Sequence, residues 1–416
     1  MVFDQITLPN GLRIIGERID HFHSVSVGLW VGSGSQYESS EEAGLSHFLE
    51  HMVFKGTAKR TARQIAEEMD AVGGQLNAFT AKESTCFYAK VVDDDLPLAM
   101  DVIADMATAP TFDPGELEKE KGVVIEEIAM SEDTPEDLAN ELLLLAHYGD
   151  QPVARPILGT QARIRSCTRE DLAGYWSRMY RPQNAVLALA GRYDWDAAVA
   201  LAEKLLGGWS AEGLAKRACV TQPVAPTILT REKDIEQAHI CLGFPGLTMG
   251  DERAYALTIA NSVFGGAMSS RLFQRIREER GLVYTVYSYP SIFTDTGMMS
   301  LYAATNPENA GVVIDLLLEE SRRMAEDGLT EAEFDMAQAQ VRASYILRVE
   351  STSSRMQGNG RRLLLRGDTR TDEEVLERID AVRLEDANAL MRELLTAPHS
   401  MSLVGKGAEK IAERAR

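Results

Sequence analysis

The sequence is poor in the features that mark stapled, membrane-spanning or nucleic-acid-binding proteins. Its 416 residues include only 4 cysteines, Cys86, Cys167, Cys219 and Cys241, far apart and without a CxxC pair. That excludes a disulfide framework and a cysteine-rich metal knuckle, and it predicts free thiols in a reducing compartment, the cytoplasm. No apolar run approaches the roughly 20 residues that cross a bilayer. The opening residues show no basic leader followed by an apolar stretch, so no targeting peptide is expected. Basic residues are in deficit: 43 Lys and Arg against 63 Asp and Glu leave a net charge of -20. Such a surface repels phosphate backbones and anionic lipid, so neither nucleic acid nor membrane is an expected partner, whereas cationic peptides are admitted. Low-complexity tracts are missing too, and the length calls for more than one core.

What is present is a pattern that occurs twice. Ser24–Val31 (SVSVGLWV) alternates like a strand with one buried face, and a helical pattern follows from Glu41. Ala238–Phe244 (AHICLGF) repeats the strand, with a helical pattern from Asp251. Ala89–Met106 and Ala303–Glu320 also correspond, each a strand end, a polar turn and an amphipathic helix. Gln75–Thr80 and Ser84–Val91, joined by a short polar turn, predict an antiparallel hairpin. The expected fold class is α+β, two homologous α/β sandwich-like domains: residues 1–210, a linker at 211–226 with Gly, Ser and Pro nearby, and residues 227–416.

Chemistry concentrates in the run Gly44-Leu45-Ser46-His47-Phe48-Leu49-Glu50-His51-Met52. Leu45, Phe48, Leu49, Met52 and Val53 have helical spacing, and His47 and His51, four apart, share one helix face and can reach one ion. Glu50, beside the second histidine, is placed to act as a general base on a water whose pKa zinc lowers to about 7. A catalytic zinc takes three protein ligands and keeps one position open. Glu120, Glu126 and Glu127 lie on a helix expected over 114–131; Glu120 and Glu127, seven apart, share a face, so one can ligate while the other supports. A bare pair of surface histidines and a closed structural zinc site are the alternatives; the second leaves Glu50 without a task.

These residues resemble the pitrilysin/insulinase family of inverted-motif zinc metallopeptidases, in the branch that holds the mitochondrial processing peptidase and its bacterial relatives. The resemblance runs through HFLEHMVFKGT (His47–Thr57), GGQLNAFTAKESTCFYA (Gly73–Ala89), EKGVVIEEI (Glu120–Ile128), YRPQNAVLALAG (Tyr180–Gly191) and SSRLFQRIREERGLVYTVYS (Ser269–Ser288). It implies a zinc-dependent endopeptidase with His47, His51 and Glu127 as ligands, Glu50 as base and Glu120 as the supporting carboxylate. It implies that Asn77, Ala78 and Phe79 form an edge strand that takes substrate backbone, and that Arg277 and Tyr284 of the second domain bind substrate and its developing oxyanion. The chain would be half of a clamshell chamber, completed by a second copy as a homodimer or by a related chain. Asp137 and Glu141 fall where relatives hold a basic substrate residue. A non-catalytic assembly subunit is the rival within the family; it would usually have lost part of the ligand set, which is complete here.

Overall fold

The computed structural model describes residues 3–210, 212 and 220–414, the last without its side chain. The chain divides into two compact units, and neither is a continuous stretch of sequence. The first comprises Met1–Ile128, Pro156–Cys219 and Ile346–Asp372; the second comprises Ala129–Arg155, Val220–Tyr345 and Glu373–Arg416.

In the first unit, strands β1 (Asp4–Thr7), β2 (Arg13–Arg18), β3 (Ser24–Val31), β4 (Gln75–Thr80), β5 (Thr85–Val92) and β6 (Ala185–Gly191) form a 6-stranded sheet in the order β1-β2-β6-β3-β5-β4. Only β2 and β6 run parallel. In the second, β7 (Ile228–Glu232), β8 (Ala238–Pro245), β9 (Val283–Ile292), β10 (Gly297–Thr305) and β11 (Ser400–Gly405) form a 5-stranded sheet in the order β7-β11-β8-β10-β9. Here β7 and β11 are the parallel pair. Removing β1 makes the two orders identical, with parallel neighbours at the same place. The duplication read from the sequence is thus a duplication of topology, and both units mix helix with sheet.

The alternation in β3 predicts one buried face, yet both faces are covered. Val25, Val27, Leu29 and Val31 enter the main core of the unit. Ser26, Gly28 and Trp30 point the other way and meet the helix Thr352–Arg366. Ser26 Oγ bonds Thr352 Oγ1 at 2.9 Å, and Met356 and Leu363 pack with the fully buried Trp30. An ion pair of Arg355 with Glu17 adds a charged contact between helix and sheet. β8 repeats the arrangement: Ala238, Ile240, Leu242 and Phe244 enter one core, while Cys241 packs against Ala139 and Leu143 of the helix Pro135–Tyr148.

Each sheet is therefore finished by a helix drawn from the opposite half of the sequence. The contiguous division at 211–226 does not describe the compact units, because residues 129–155 belong with the second sheet and 346–372 with the first. A helix's apolar stripe demands a sheet face to cover but does not specify which sheet. Half of the expected linker, residues 211 and 213–219, lies outside the described residues.

Small residues set how closely the covering helix approaches. A Cβ on Gly360 would lie 2.3 Å from Trp30 Nε1 and 3.0 Å from Ala188 Cβ; one on Gly28 would meet Met356 Sδ at 2.3 Å. The methionine is flexible and the buried indole is not. Gly360→Ala is expected to lower stability by about 1–3 kcal/mol through overpacking, outweighing about 1 kcal/mol of helix propensity gained. Gly28→Ala should cost less, and urea denaturation of the two variants will rank them.

Candidate metal centre and its surroundings

The helix Leu45–Val53 buries Leu45, Phe48, Leu49, Met52 and Val53 in the core of the first unit, which turns His47 and His51 to its other side. Its start is constrained. Gly44 has φ +91°, and a Cβ there would lie 2.7 Å from Leu158 O, so this turn calls for glycine. Glu38, buried, accepts from the N–H groups of Gly44 (2.8 Å) and Ser46 (2.6 Å), satisfying donors that a helix start leaves open. Burial pushes the Glu38 carboxyl up to about 7 against those two bonds.

The long helix Pro114–Asp133 brings Glu120 and Glu127 to the two histidines, held to the core by Leu117, Val124 and Ile128. Glu127 Oε2 is 3.6 Å from His47 Nε2 and 3.4 Å from His51 Nε2. One ligand atom from each of the three residues lies within 4.8 Å of the others. Ligands at about 2.0–2.1 Å around a tetrahedral zinc would stand roughly 3.4 Å apart, and the two separations from Glu127 match that spacing. His51 Nδ1 is 2.9 Å from Glu120 Oε1, which leaves Nε2 bare toward Glu127. His47 likewise turns Nε2 to Glu127, and its buried Nδ1 has no partner among the described residues. The three residues therefore suit a divalent metal ion.

Electrostatics point the same way. Burial, reinforced by His51, pushes the His47 imidazole down to about 4, so it is neutral near pH 7 and can ligate. Burial also pulls His51 down, but the hydrogen bond to Glu120 and the charges of Glu127, Glu120 and Glu50 raise it overall. A cation would meet that accumulated negative charge in place of a proton.

Glu50 stands beside this cluster. Burial raises its carboxyl above the usual range, opposed by a hydrogen bond from Thr80. Thr80 Oγ1 donates to Glu50 Oε2 at 2.5 Å, fixing one carboxylate oxygen. Thr80 ends β4, so one strand carries Asn77, Ala78 and Phe79 and also restrains Glu50. Among the described residues, that strand is the sheet's edge, paired with β5 alone. The sequence reading missed Thr80 and Lys55, whose Nζ lies 2.7 Å from Glu120 Oε2. Lys55 was legible in principle, four residues past His51; Thr80 carried no such signal.

The other expected site residues lie in the second unit. Arg277 and Tyr284 come together: the guanidinium carbon is 5.2 Å from the centre of the Tyr284 ring and 4.6 Å from that of Phe273. Tyr284 is 75% exposed, on the edge strand β9, so the ring is available to a ligand. Asp137 and Glu141 share the helix Pro135–Tyr148. Asp137 is largely exposed; what burial it has, together with neighbouring Glu136, raises its carboxyl. Cys86, Cys167 and Cys241 are free and buried; Cys219 lies outside the described residues. Among the described residues, no helix is long and apolar enough to cross a membrane.

Six residues before Arg277, Arg271 is anchored to the helix Glu331–Arg348. Arg271 bonds both carboxylate oxygens of Glu333, at 2.8 and 2.7 Å, and that pairing holds Glu333 down at about 2. A carboxyl depressed from its usual 4.5 stabilises the fold above that value, and the contribution is lost as pH falls from 4.5 toward 2. Glu333→Gln should cost about 1–3 kcal/mol at pH 7 after allowance for partial solvent screening, and progressively less below pH 4.5. Denaturation of both proteins between pH 7 and pH 3 measures the convergence.

Comparison with known proteins completes the assignment. Residues 13–161 match the insulinase family (peptidase family M16), and residues 166–341 match the peptidase M16 inactive domain. The uncharacterised zinc protease YmxG of Bacillus subtilis is 44% identical over 399 residues, covering 96% of this chain and 97% of the relative. An uncharacterised zinc protease of Mycobacterium tuberculosis is 42% identical over 417 residues, covering 97% of this chain and 93% of its own. The fold matches a crystal structure of a peptidase M16 inactive domain from Pseudomonas fluorescens, with TM-score 0.91, 20% identity and 98% of both chains covered. It also matches a protease from Helicobacter pylori, with TM-score 0.92, 19% identity and 97% of this chain and 99% of that chain covered. On the strength of relatives matched along nearly its whole length, the chain belongs to the insulinase family, peptidase family M16.

Proposed function

We propose that this protein is a zinc-dependent endopeptidase that hydrolyses peptides or unfolded segments. The observation that carries this reading is the convergence of His47, His51 and Glu127, with Glu50 beside them and held by Thr80. The family membership supports it, and relatives bear the name zinc protease. Zinc, when bound, supplies Lewis acidity toward a peptide carbonyl and a water acidified to about pKa 7.

The chain's own residues account for the rest. Glu50 keeps one oxygen on Thr80 and has the other to receive the proton of the attacking water and return it to the leaving amine. Burial raises its proton affinity, which suits both halves of that transfer. Glu120 holds His51 in the tautomer that presents Nε2. An extended substrate adds to the free edge of β4 at Asn77, Ala78 and Phe79. There the Ala78 N–H donates to Asn77 Oδ1 at 2.8 Å, a bond that an incoming carbonyl can replace. Arg277 and Tyr284 serve as substrate and oxyanion donors. Asp137 and Glu141, four apart, can pair with one arginine of the substrate.

Cleavage of a peptide library, read by mass spectrometry with and without a chelator, tests this reading. Cuts should appear with the metal, vanish with chelation or in Glu50→Gln, and favour sites near arginine. A Glu50→Gln protein that binds zinc and still cleaves would refute it.

We further propose that two chains act together as a homodimer, with Arg277 and Tyr284 of one serving the metal site of the other. Mixing Glu50→Ala protein with Tyr284→Phe protein should restore activity in mixed dimers confirmed by mass. No recovery in confirmed mixed dimers would show that each chain serves itself.

A further inference from the structure

His47, His51 and Lys55 are successive steps of four residues. Lys55 lies just beyond the helix end, its N–H bonded to Met52 O at 3.1 Å, at the terminus where a cation is favoured. Its ammonium does not point away from the cationic site it adjoins. It pairs at 2.7 Å with Glu120 Oε2, while His51 Nδ1 holds Glu120 Oε1 at 2.9 Å. The Glu120 side chain is only 6% exposed, so water competes weakly for either oxygen. The carboxylate is therefore gripped at both ends and cannot rotate without breaking a contact.

We propose that Lys55 is a positioning residue of the metal site, locking Glu120 so that Glu120 in turn presents His51 Nε2 to the ion. This rests on the reading of His47, His51 and Glu127 as metal ligands. Two effects of the lysine oppose each other. Its positive charge repels a divalent cation, so by Coulomb's law alone its removal would tighten binding. Its removal also strips a buried carboxylate of one partner, which frees Glu120 to turn and so releases His51. Loss of such outer contacts commonly weakens metal binding 10–100-fold, and the orienting effect prevails at this short, sheltered contact.

The test uses the full chain, stripped by dialysis against a chelator and titrated with zinc in competition with a chromophoric chelator. Lys55→Met should bind zinc about tenfold more weakly than the unaltered protein. Lys55→Arg, which keeps the charge, should stay within about threefold. Because Lys55 acts through Glu120, the double variant Lys55→Met/Glu120→Gln should bind no more weakly than Glu120→Gln alone. Should Lys55→Met fail to fold, Lys55→Gln is read in its place with the same expected loss. Zinc binding as tight as or tighter than that of the unaltered protein would overturn the proposal, as would losses that add in the double variant. An unaltered protein that binds no zinc would overturn the metal reading and this inference with it.

Discussion

Carboxylates and imidazoles gathered in a half-buried space carry an electrostatic cost that a cation among them relieves. Glu50, Glu120 and Glu127 crowd two histidines, and burial raises the cost of charge on Glu50, Glu120 and His51. Lys55 balances one carboxylate. A divalent ion held by His47, His51 and Glu127 would balance the remainder, and the contacts around those residues fix the directions in which their ligand atoms point. Glycine at position 44 sets the helix entry, Glu38 caps it, and a row of apolar side chains glues it to the core. The neutral state that burial enforces on His47 belongs to the same logic, since a protonated imidazole would be lost as a ligand.

The candidate metal ligands were the most legible part of the molecule. Two histidines one helical turn apart report their shared face through local periodicity, and Glu120 and Glu127 do so over two turns. That the two pairs meet was supplied by family resemblance, because no local pattern fixes how separate helices approach. The strands were legible for similar reasons: Ser24–Val31 and Gln75–Thr80 match β3 and β4. Their surroundings were not. Ser26, Gly28 and Trp30 look like an outward face with one stray aromatic until the helix Thr352–Arg366 is set on them. Thr80 escaped notice because a threonine at a strand end is ordinary, and only the position of Glu50 gives it work.

Sequence order and spatial grouping part company in this protein. The strands follow the chain, one sheet from each half, while the covering helices Pro135–Tyr148 and Thr352–Arg366 cross over. The same rule, that both faces of a sheet carrying small or apolar residues on each side must be covered, acts in both units. The exchanged helices meet it with different chemistry. In the first unit hydroxyls and a buried ion pair join sulfur and leucine contacts; in the second, Leu143 and Tyr148 meet Cys241 and Tyr302.

That crossing bears on the birth of the molecule at the ribosome. The first sheet has all six strands once residue 191 has been made, but its second face stays bare until the helix ending at Arg366 is made. For much of synthesis Trp30 lacks its covering helix, and the helix ending at Tyr148 waits for strands made after residue 227. A nascent chain of this design cannot finish one half and then begin the other. It carries unfinished surfaces through much of translation, which makes either half alone a poor candidate for independent expression.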